Sequence, residues 1–228
     1  MNILKKLNNT RSILGCTAIG GISLNTSYYR SECIASSSRY QTNVLKDKCV
    51  LITGANVGIG KACAERFAEH DCRLILLGRR DELLKSLKKD LLNQYPKLKL
   101  HTVAVSVTDL DAIKALPSTL PKEFQDVSIL VNNAGLALGV TPVESNNVED
   151  AKTVIDTNVV GVIALCSAFL PGMKQRGEGH LINMGSVAGH YAYTTGSVYN
   201  ASKYAVRGFT EAARHDLAGT PIRVTHIR

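Results

Sequence analysis

The stretch TGANVGIG, residues 53–60, follows the apolar run CVLI and precedes a segment with helical periodicity. A glycine string in this place has a physical use, because Gly54 allows a tight turn and Gly60 lets the helix pack closely on the strand. Gly58 lets the backbone approach a diphosphate, to which the N-terminus of the following helix offers free N–H groups. We therefore predict a dinucleotide-binding turn here, the alternative being an ordinary βα loop that is rich in glycine. The candidate cofactor-binding residues of the turn are Gly54, Asn56, Val57, Gly58, Ile59 and Gly60.

Short apolar runs alternate with longer amphipathic segments from Lys48 onward, which is typical of β-α-β units around a parallel sheet. Strands are predicted at CVLITG, RLILLG, KLKLHTVAVSV, VSILVNN, HLINMGS and IRVTHI. Helices are predicted at 61–69, 81–94, 148–173 and 198–217, and at a short segment that Thr108 would cap. Pro171 is expected to lie at the end of helix 148–173. The pattern predicts an α/β protein with a single Rossmann-type doubly wound parallel sheet in one domain, residues 47–228.

Residues 1–46 differ in composition from the rest of the chain, being basic, rich in Ser, Asn and Thr, and almost free of acidic residues. Six cationic residues oppose Glu32 alone, a net +5 of the formal +8, which leaves +3 for the other 182 residues. Such a leader predicts a mitochondrial transit peptide, with a disordered extension of a cytoplasmic protein as the alternative. Its apolar run 13–24 also permits a secretory signal, but it is too short to span a bilayer as a helix.

The composition argues against several other classes of protein. A nucleic-acid-binding domain concentrates basic charge in its folded part, whereas most of the excess here lies in the leader. The six cysteines show no C-x-x-C spacing and the six histidines no H-E-x-x-H motif, so we expect reduced, mostly buried thiols and no metal site. We therefore expect a small-molecule substrate, without nucleic-acid binding or membrane insertion.

The end of the second predicted strand, RLILLGRRDE, indicates which dinucleotide binds. An NAD site usually places an acidic side chain there for the ribose hydroxyls, whereas the 2′-phosphate of NADP needs cations. Arg79 and Arg80 occupy this place, and a planar guanidinium can donate two parallel hydrogen bonds to a phosphate. The sequence therefore predicts NADP, the alternative being a pair of solvated arginines that lead into a helix.

Several motifs, in order, resemble those of the short-chain dehydrogenase/reductase family: TGANVGIG, NNAG at 132–135, Asn158 in DTNVVG, Ser186 in INMGSVAG, and Tyr199 and Lys203 in YNASK. The resemblance extends over about 180 residues and implies a seven-stranded Rossmann-type sheet, a nicotinamide cofactor and an oxidoreductase. Loops such as NNAGLALG, FLPGM and YAYTTGSVYNASK look like the NADP-dependent 3-hydroxy acid dehydrogenase branch, which acts on small β-hydroxy acids and β-hydroxy amino acids. The resemblance adds these cofactor-binding candidates: Ser106, Val107, Asn133, Ala134 and Gly135.

Tyr199 and Lys203 lie one helical turn apart, where side chains i and i+4 meet. Hydride transfer from a carbinol carbon needs a base for the hydroxyl proton, and a free phenol, with a pKa of about 10, is a poor base near neutral pH. A neighbouring ammonium favours the phenolate, so Tyr199 is the predicted general acid/base, and Lys203 tunes it and holds the nicotinamide ribose. The resemblance implies that Ser186 aligns the reacting oxygen and that Asn158 supports a proton path to Lys203; in isolation they would be a turn serine and a helix-interior amide. The catalytic candidates are Asn158, Ser186, Tyr199 and Lys203, and the substrate-binding candidates are Ser186 and Tyr199.

The chain departs from the family pattern in two places. Ser106 stands where an acidic residue usually precedes the position of Val107 near the adenine, which predicts a weaker adenine contact. The sequence stops at Arg228, where family members continue with a loop, a lid helix and a seventh strand. We therefore expect a C-terminally truncated sheet that lacks its last edge strand and a nicotinamide pocket that lacks one wall.

Three functions stay open at this point. The first is an NADP-dependent oxidoreductase that interconverts a small 3-hydroxy acid or β-hydroxy amino acid and its 3-oxo acid. The alternatives are a carbonyl or 3-oxoacyl reductase of the same family, and a truncated, inactive NADP-binding interaction protein. Helices 148–173 and 198–217 are where relatives dimerise, so we predict a homodimer. His190, Tyr191 and Tyr193 precede the catalytic helix and either line the substrate pocket or lie on the loop surface.

Overall fold

Six parallel strands form the sheet in the order β3-β2-β1-β4-β5-β6 in the computed structural model, which describes residues 44–228. The strands are β1 (Cys49–Thr53), β2 (Arg73–Gly78), β3 (Leu100–Ala104), β4 (Val127–Asn132), β5 (Gly179–Met184) and β6 (Ile222–Ile227). The order reverses between β1 and β4, as in doubly wound dinucleotide-binding sheets. The predicted fold class is therefore confirmed, with six strands among the described residues. The predictions made for the leader fall on residues 1–43, outside the described range, apart from its last three positions.

Within the described part of the chain, six α-helices connect the strands. They are α1 (Gly58–Ala68), α2 (Asp81–Gln94), α3 (Leu110–Thr119), α4 (Val148–Ile155), α5 (Gly161–Arg176) and α6 (Ser197–Asp216). The segment Asp156–Val160 forms one π-helical turn that joins α4 to α5 without a break. Helix 148–173 of the sequence prediction is thus a longer helix with a local irregularity in it.

Two local predictions about helix ends were wrong. Thr108 does not cap α3, because the Asp109 carboxylate accepts the hydrogen bond from the Ala112 N–H at 3.1 Å. Pro171 does not end its helix, which runs to Arg176. Phe169 and Met173, two positions before and after this proline, bury their side chains in the core, and such packing stabilises a helix more than local propensity does.

The sheet is buried on both faces, which explains why its strands read as continuous apolar runs. Successive residues of a strand point to opposite faces, so Leu51 packs in the layer that contains α3, α5 and α6, while Val50 and Ile52 pack in the layer with α1 and α2. In the first layer, Leu165 and Phe169 of α5 contact the core. The carboxyl ends of the strands, which carry the sequence motifs, therefore meet along one edge of a rigid support.

The continuous helical stretch Val148–Arg176 is long and apolar enough to cross a membrane. Its apolar residues include Leu165, Cys166, Phe169 and Met173, all of them buried in this fold. Core packing therefore accounts for part of its hydropathy.

Candidate active site

Hydrogen bonds tie the glycine turn between β1 and α1 to the loop that follows β4. The hydroxyl of Thr53 accepts from the backbone N–H groups of Asn133 and Ala134, at 3.0 and 2.9 Å. The amide of Asn133 donates in return to the Thr53 carbonyl at 2.9 Å. Gly54 has a φ of +62°, and a Cβ on Gly60 would lie 2.3 Å from the Gly54 carbonyl oxygen. The two sequence motifs therefore form one structural unit that needs glycine at these positions.

A cavity of about 430 Å³ lies along the carboxyl edge of the sheet, from the ends of β2 and β3 to the end of β5. Thirteen predicted site residues line it: Gly54, Asn56, Val57, Ile59, Arg79, Arg80, Ser106, Val107, Asn133, Ala134, Gly135, Tyr199 and Lys203. Four other predicted residues, Gly58, Gly60, Asn158 and Ser186, lie outside its wall. The structure thus brings most of the candidates together, while their chemical roles stay predictions.

Sequence reasoning missed eight residues of the cavity wall: Leu77, Gly78, Val105, Leu136, Ala137, Thr157, Met184 and Gly185. Nearly all are chain neighbours of predicted residues at the ends of the strands. The rule that ligands bind outside the carboxyl ends of parallel strands would have included them. Most of these residues are glycine or have apolar side chains, so their residue types alone do not indicate a binding site.

Arg79 and Arg80 are both exposed and line the cavity just after β2. Within residues 44–228, neither forms an ion pair or a side-chain hydrogen bond. The next residue, Asp81, pairs instead with Lys85 at 2.6 Å. Two guanidinium groups are therefore free to bind an anion in the cavity.

Tyr199 and Lys203 line the cavity from the first turns of α6. The Lys203 Nζ lies 5.7 Å from the centroid of the Tyr199 ring and donates to the Met184 carbonyl at 2.9 Å. Lys203 is only 7% exposed, and burial lowers the pKa of its amine. The carbonyl contact favours the ammonium, so the lysine is held beside the phenol ring within the wall of the cavity.

Asn158 lies in the π-helical turn and is 1% exposed. Its side chain binds the backbone of Leu136 twice, accepting from the N–H at 2.9 Å and donating to the carbonyl at 2.8 Å. It also donates to the Ser202 hydroxyl at 3.0 Å, which donates to the Tyr199 carbonyl at 2.7 Å. Asn158 therefore joins a cavity-lining loop to the helix that carries Tyr199. Among the described residues it makes no direct hydrogen bond to Lys203.

Ser186 follows β5 and is half-buried. Its hydroxyl oxygen accepts from the Ala188 N–H at 3.1 Å, and within residues 44–228 its own O–H has no acceptor. It can therefore donate to a bound oxygen while keeping its place at the turn. Tyr191 and Tyr193 are 74% and 52% exposed and lie outside the cavity wall.

Ser106 lines the cavity beside Val107. Its hydroxyl lies 2.8 Å from the Thr108 hydroxyl and accepts from the Thr108 N–H at 3.3 Å. The neutral hydroxyl pair can either donate or accept, which differs from the acceptor-only carboxylate that the family pattern leads us to expect.

The four described cysteines are free. Burial raises the pKa of the Cys49 thiol to about 12, that of Cys166 to about 12 and that of Cys72 to about 11. These groups are therefore neutral thiols at physiological pH and poor nucleophiles. Within residues 44–228, no three His, Cys, Asp or Glu side chains gather as a metal site would require.

Comparisons with known proteins point to one family. The model of the short chain dehydrogenase family matches residues 48–228. An NADP-dependent 3-hydroxy acid dehydrogenase of Salmonella typhi is 45% identical over 178 residues, which cover 78% of this chain and 70% of that protein. Sulfoacetaldehyde reductase 2 of Chromohalobacter salexigens is 43% identical over 179 residues, with the same coverage.

Solved structures show the same similarity. Serine dehydrogenase from Escherichia coli has a TM-score of 0.73 at 44% identity, covering 78% of this chain and 80% of that one. The closed form of serine dehydrogenase complexed with NADP+ has a TM-score of 0.74 at 44% identity, covering 78% of this chain and 69% of that one.

Proposed function

The chain belongs to the short-chain dehydrogenase family, and we propose on that basis that it is an NADP-dependent oxidoreductase that acts on a CH–OH group. One observation carries the proposal: Tyr199 and Lys203 line the same cavity as the glycine turn and two unpaired arginines. A dinucleotide and a proton-transferring phenol would therefore share one space.

The start of α1 fits the diphosphate of a dinucleotide. Its N-cap residue, Val57, makes no side-chain capping bond, and its first turn contains no acidic residue. The N–H groups and the partial positive charge of this helix end are therefore left for an anion. At Gly58 a Cβ would meet no atom within 4 Å, which is the open space that an approaching phosphate needs.

Arg79 and Arg80 favour NADP over NAD, because both guanidinium groups are free to bind the 2′-phosphate. The double substitution Arg79→Asp with Arg80→Ser should weaken NADPH binding at least about 10-fold, since the loss of even one hydrogen bond to a charged group costs about 1.5–3 kcal/mol. Fluorescence titration measures this directly. The control is Lys89→Asp with Lys97→Ser, which changes the net charge equally at two exposed positions outside the cavity. Equal NADPH affinity in both double variants would contradict the assignment.

The chemistry of the chain's own residues follows from their positions. Bound NADP supplies the acceptor for the hydride that leaves the carbinol carbon. Tyr199 acts as the general base that takes the proton of the substrate hydroxyl, and Lys203 is held beside its ring by the bond to the Met184 carbonyl. The free O–H of Ser186 donates to the same substrate oxygen and orients it toward the phenol. In the reducing direction Tyr199 returns the proton.

Replacement of the phenolic hydroxyl tests the role of Tyr199. Tyr199→Phe should lower turnover about 10²- to 10⁴-fold, the range for general acid/base groups, while NADPH binding is retained. The control is Tyr204→Phe on the same helix, which removes a hydroxyl that donates to the His190 carbonyl at 2.7 Å. Tyr204→Phe should keep most of the wild-type turnover, and similar turnover in both variants would refute the mechanism.

We assign a small 3-hydroxy acid or β-hydroxy amino acid as the substrate. Support comes from the relatives, a 3-hydroxy acid dehydrogenase at 45% identity and a serine dehydrogenase at 44%. The second candidate is a carbonyl reductase of a small acid, because a sulfoacetaldehyde reductase is 43% identical. All three names describe small molecules that carry an acidic group.

A turnover panel separates these functions. It contains L-serine, L-allo-threonine and 3-hydroxyisobutyrate with NADP, and sulfoacetaldehyde and an acetoacetyl thioester with NADPH. Oxidation of the hydroxy acids supports the first assignment, and reduction of the last two compounds supports a carbonyl or 3-oxoacyl reductase. NADPH binding with no turnover of any compound would support the inactive interaction protein.

We also propose a homodimer through helices 148–173 and 198–217. Apolar side chains on these helices are exposed, namely Val148 at 77%, Ile163 at 39% and Tyr204 at 42%. Light scattering of the protein and of Val148→Asp with Ile163→Asp tests this, because two buried carboxylates would dissociate such a dimer. An unchanged mass of the double variant would contradict the interface.

Mitochondrial import is the proposed role of the leader, on the strength of its basic, acid-poor composition. A fluorescent protein fused to residues 1–46 should enter mitochondria. Substitution of Lys5, Lys6 and Arg11 by Gln should prevent this. Cytoplasmic fluorescence of the unaltered fusion would favour the alternative location.

A further inference from the structure

A row of buried polar side chains crosses the layer between the sheet and helices α5 and α6. The amide of Asn132 on β4 donates to Cys166 Sγ of α5 at 3.3 Å and to Asn183 Oδ1 of β5 at 2.8 Å. The Asn183 amide donates to the Thr210 hydroxyl of α6 at 3.0 Å, and that hydroxyl donates to the Val206 carbonyl. The four side chains of the row are each at most 3% exposed. Four elements are thus joined by directional bonds inside a layer whose other buried residues are largely apolar.

Stability alone does not account for this row. Buried polar groups are unfavourable unless they are hydrogen-bonded, and apolar residues of similar volume usually stabilise a core at least as well. One atom of the row, the Asn132 side-chain oxygen, has no partner among the described residues. Hydrogen bonds, however, fix distance and direction, whereas apolar contacts are non-directional. The row is therefore better suited to fixing the position of a helix than to strengthening the core.

The row ends next to the catalytic lysine. Asn183 directly precedes Met184, whose carbonyl accepts from the Lys203 Nζ at 2.9 Å. Thr210 follows Lys203 by seven residues on α6, which is about 10 Å along the helix axis. Two consecutive residues of β5 therefore hold α6 at two separate points. A helix held at two points cannot rotate or slide without breaking one of these bonds.

We propose that Thr210, through its bond to Asn183, is a positioning residue that fixes α6 so that Lys203 and Tyr199 stand at their places in the cavity. The catalytic consequence of this inference rests on the proposed function, whereas its structural consequence does not. Thr210 itself touches neither the cavity nor a substrate.

The substitution Thr210→Val tests the proposal, because valine has nearly the same shape but offers no acceptor to the Asn183 amide. It should lower kcat about 10- to 100-fold, the effect of a displacement of about 1 Å in a catalytic group, with little change in KM. Thr210→Ser keeps the hydroxyl and should restore most of the rate. The control is Thr225→Val, which breaks a 2.8 Å hydrogen bond between Thr225 on β6 and His180 on β5 without touching α6. This control should leave kcat unchanged.

Chemical labelling provides a readout that does not depend on turnover. The amine of Lys203 is buried and hydrogen-bonded, so an amine-directed acylating reagent should modify it slowly. In Thr210→Val the labelling rate of Lys203, measured by mass spectrometry, should rise several-fold, and in Thr225→Val it should not. Faster labelling in a protein that turns over no substrate would support the inference while the proposed function fails.

Two results would overturn the proposal. One is an active wild-type protein whose Thr210→Val variant keeps both its kcat and its slow Lys203 labelling. The other is a loss of kcat in a control variant as large as that in Thr210→Val. The controls are Thr225→Val and Ile113→Val, which leaves a cavity at a fully buried residue on α3, compared at the same loss of unfolding free energy. If Thr210→Val does not fold, Thr210→Cys takes its place, because the thiol is a weak acceptor of similar size. The kcat of Thr210→Cys should then lie between the values expected for Thr210→Val and Thr210→Ser. A wild-type kcat would refute the positioning role.

Discussion

Alanine substitutions at Gly58 and Gly60 of the glycine turn should have different effects on stability and on NADPH binding. At Gly60 a Cβ would lie 2.3 Å from the Gly54 carbonyl oxygen and 2.6 Å from the Asn133 amide nitrogen. Relief to 3.0 Å requires a shift of about 0.7 Å, and the nearest obstacle is backbone that cannot rotate away. Forced overpacking of this kind typically costs about 1–3 kcal/mol, so we expect Gly60→Ala to lose about 3 kcal/mol and to displace α1 from β1.

At Gly58 the same substitution meets a different constraint. A Cβ there would find no atom within 4 Å, but the backbone has a φ of +55°. A left-handed alanine costs about 1–2 kcal/mol, and the protein should stay folded. The new methyl group would, however, occupy the space beside the start of α1 that the diphosphate needs. We therefore expect Gly58→Ala to bind NADPH more weakly while keeping its fold.

Urea unfolding followed by circular dichroism, with NADPH titration of each folded variant, measures both effects. Gly208→Ala is the matched control, because Gly208 lies within α6 and a Cβ there would also meet nothing within 4 Å. Alanine in an open helical position should stabilise the protein by about 0.8–1 kcal/mol. The reasoning about packing would be refuted if Gly60→Ala were as stable as Gly58→Ala. Unchanged NADPH affinity in Gly58→Ala would refute the placement of the diphosphate.

Two further substitutions test the stability of the scaffold. Arg73→Met should cost about 2 kcal/mol, because the mostly buried Arg73 side chain donates twice to the Asp126 carboxylate, at 2.8 and 2.7 Å, and once to the Asp47 carbonyl. The hydrogen bond from Arg73 also lowers the pKa of Asp126 below 3.8, so the share of the stabilisation that depends on the Asp126 carboxylate is present above pH 3.8 and is lost as the pH falls through the lower, folded-state pKa. The difference in unfolding midpoint between the two proteins should therefore shrink in acid, and an unchanged difference would contradict this reasoning. Thr195→Gly should raise the unfolding free energy by up to about 1 kcal/mol, because Thr195 has a φ of +61° and glycine relieves the strain of a left-handed β-branched residue; a lower midpoint would show that no strain is stored there.

Local sequence signals sufficed for most of the scaffold. The bounds of α2 and β6 match the prediction residue for residue, because Pro96 follows one amphipathic segment and the turn residues of AGTP precede the other run. The start of α1 was placed three residues late and its end one residue late, since its first turn contains two glycines that local propensity assigns to a loop. Thr108 was chosen as a cap over Asp109, and these neighbours have similar capping preferences. Only the fold decides which side chain reaches the open N–H.

The residues of the cavity wall were harder to predict from the sequence than the scaffold was. Leu136 and Met184 act in the cavity through backbone atoms: the N–H and carbonyl of Leu136 bind Asn158, and the carbonyl of Met184 accepts from Lys203. Backbone groups are the same in every residue, so no pattern of side chains distinguishes them. The pairing of Asn132 with Asn183 depends likewise on the register of β4 against β5, which is a property of the assembled sheet.

Helices usually begin with a capping side chain or with acidic residues in the first turn. A helix that has neither can therefore indicate a functional site. Asp109 caps α3, Asn147 caps α4, and α2 carries two acidic residues in its first turn. The helices α1 and α6, which also begin after a loop, have neither a side-chain cap nor an acidic residue in the first turn. These two are the helices whose first turns supply Ile59 and Tyr199 to the wall of the cavity. A capping residue would have stabilised each of them by about 1 kcal/mol, but an acidic cap beside α1 would also have repelled an anion. The missing cap of α1 and the free arginines therefore both support the proposed binding of an anionic cofactor between the glycine turn and the end of β2.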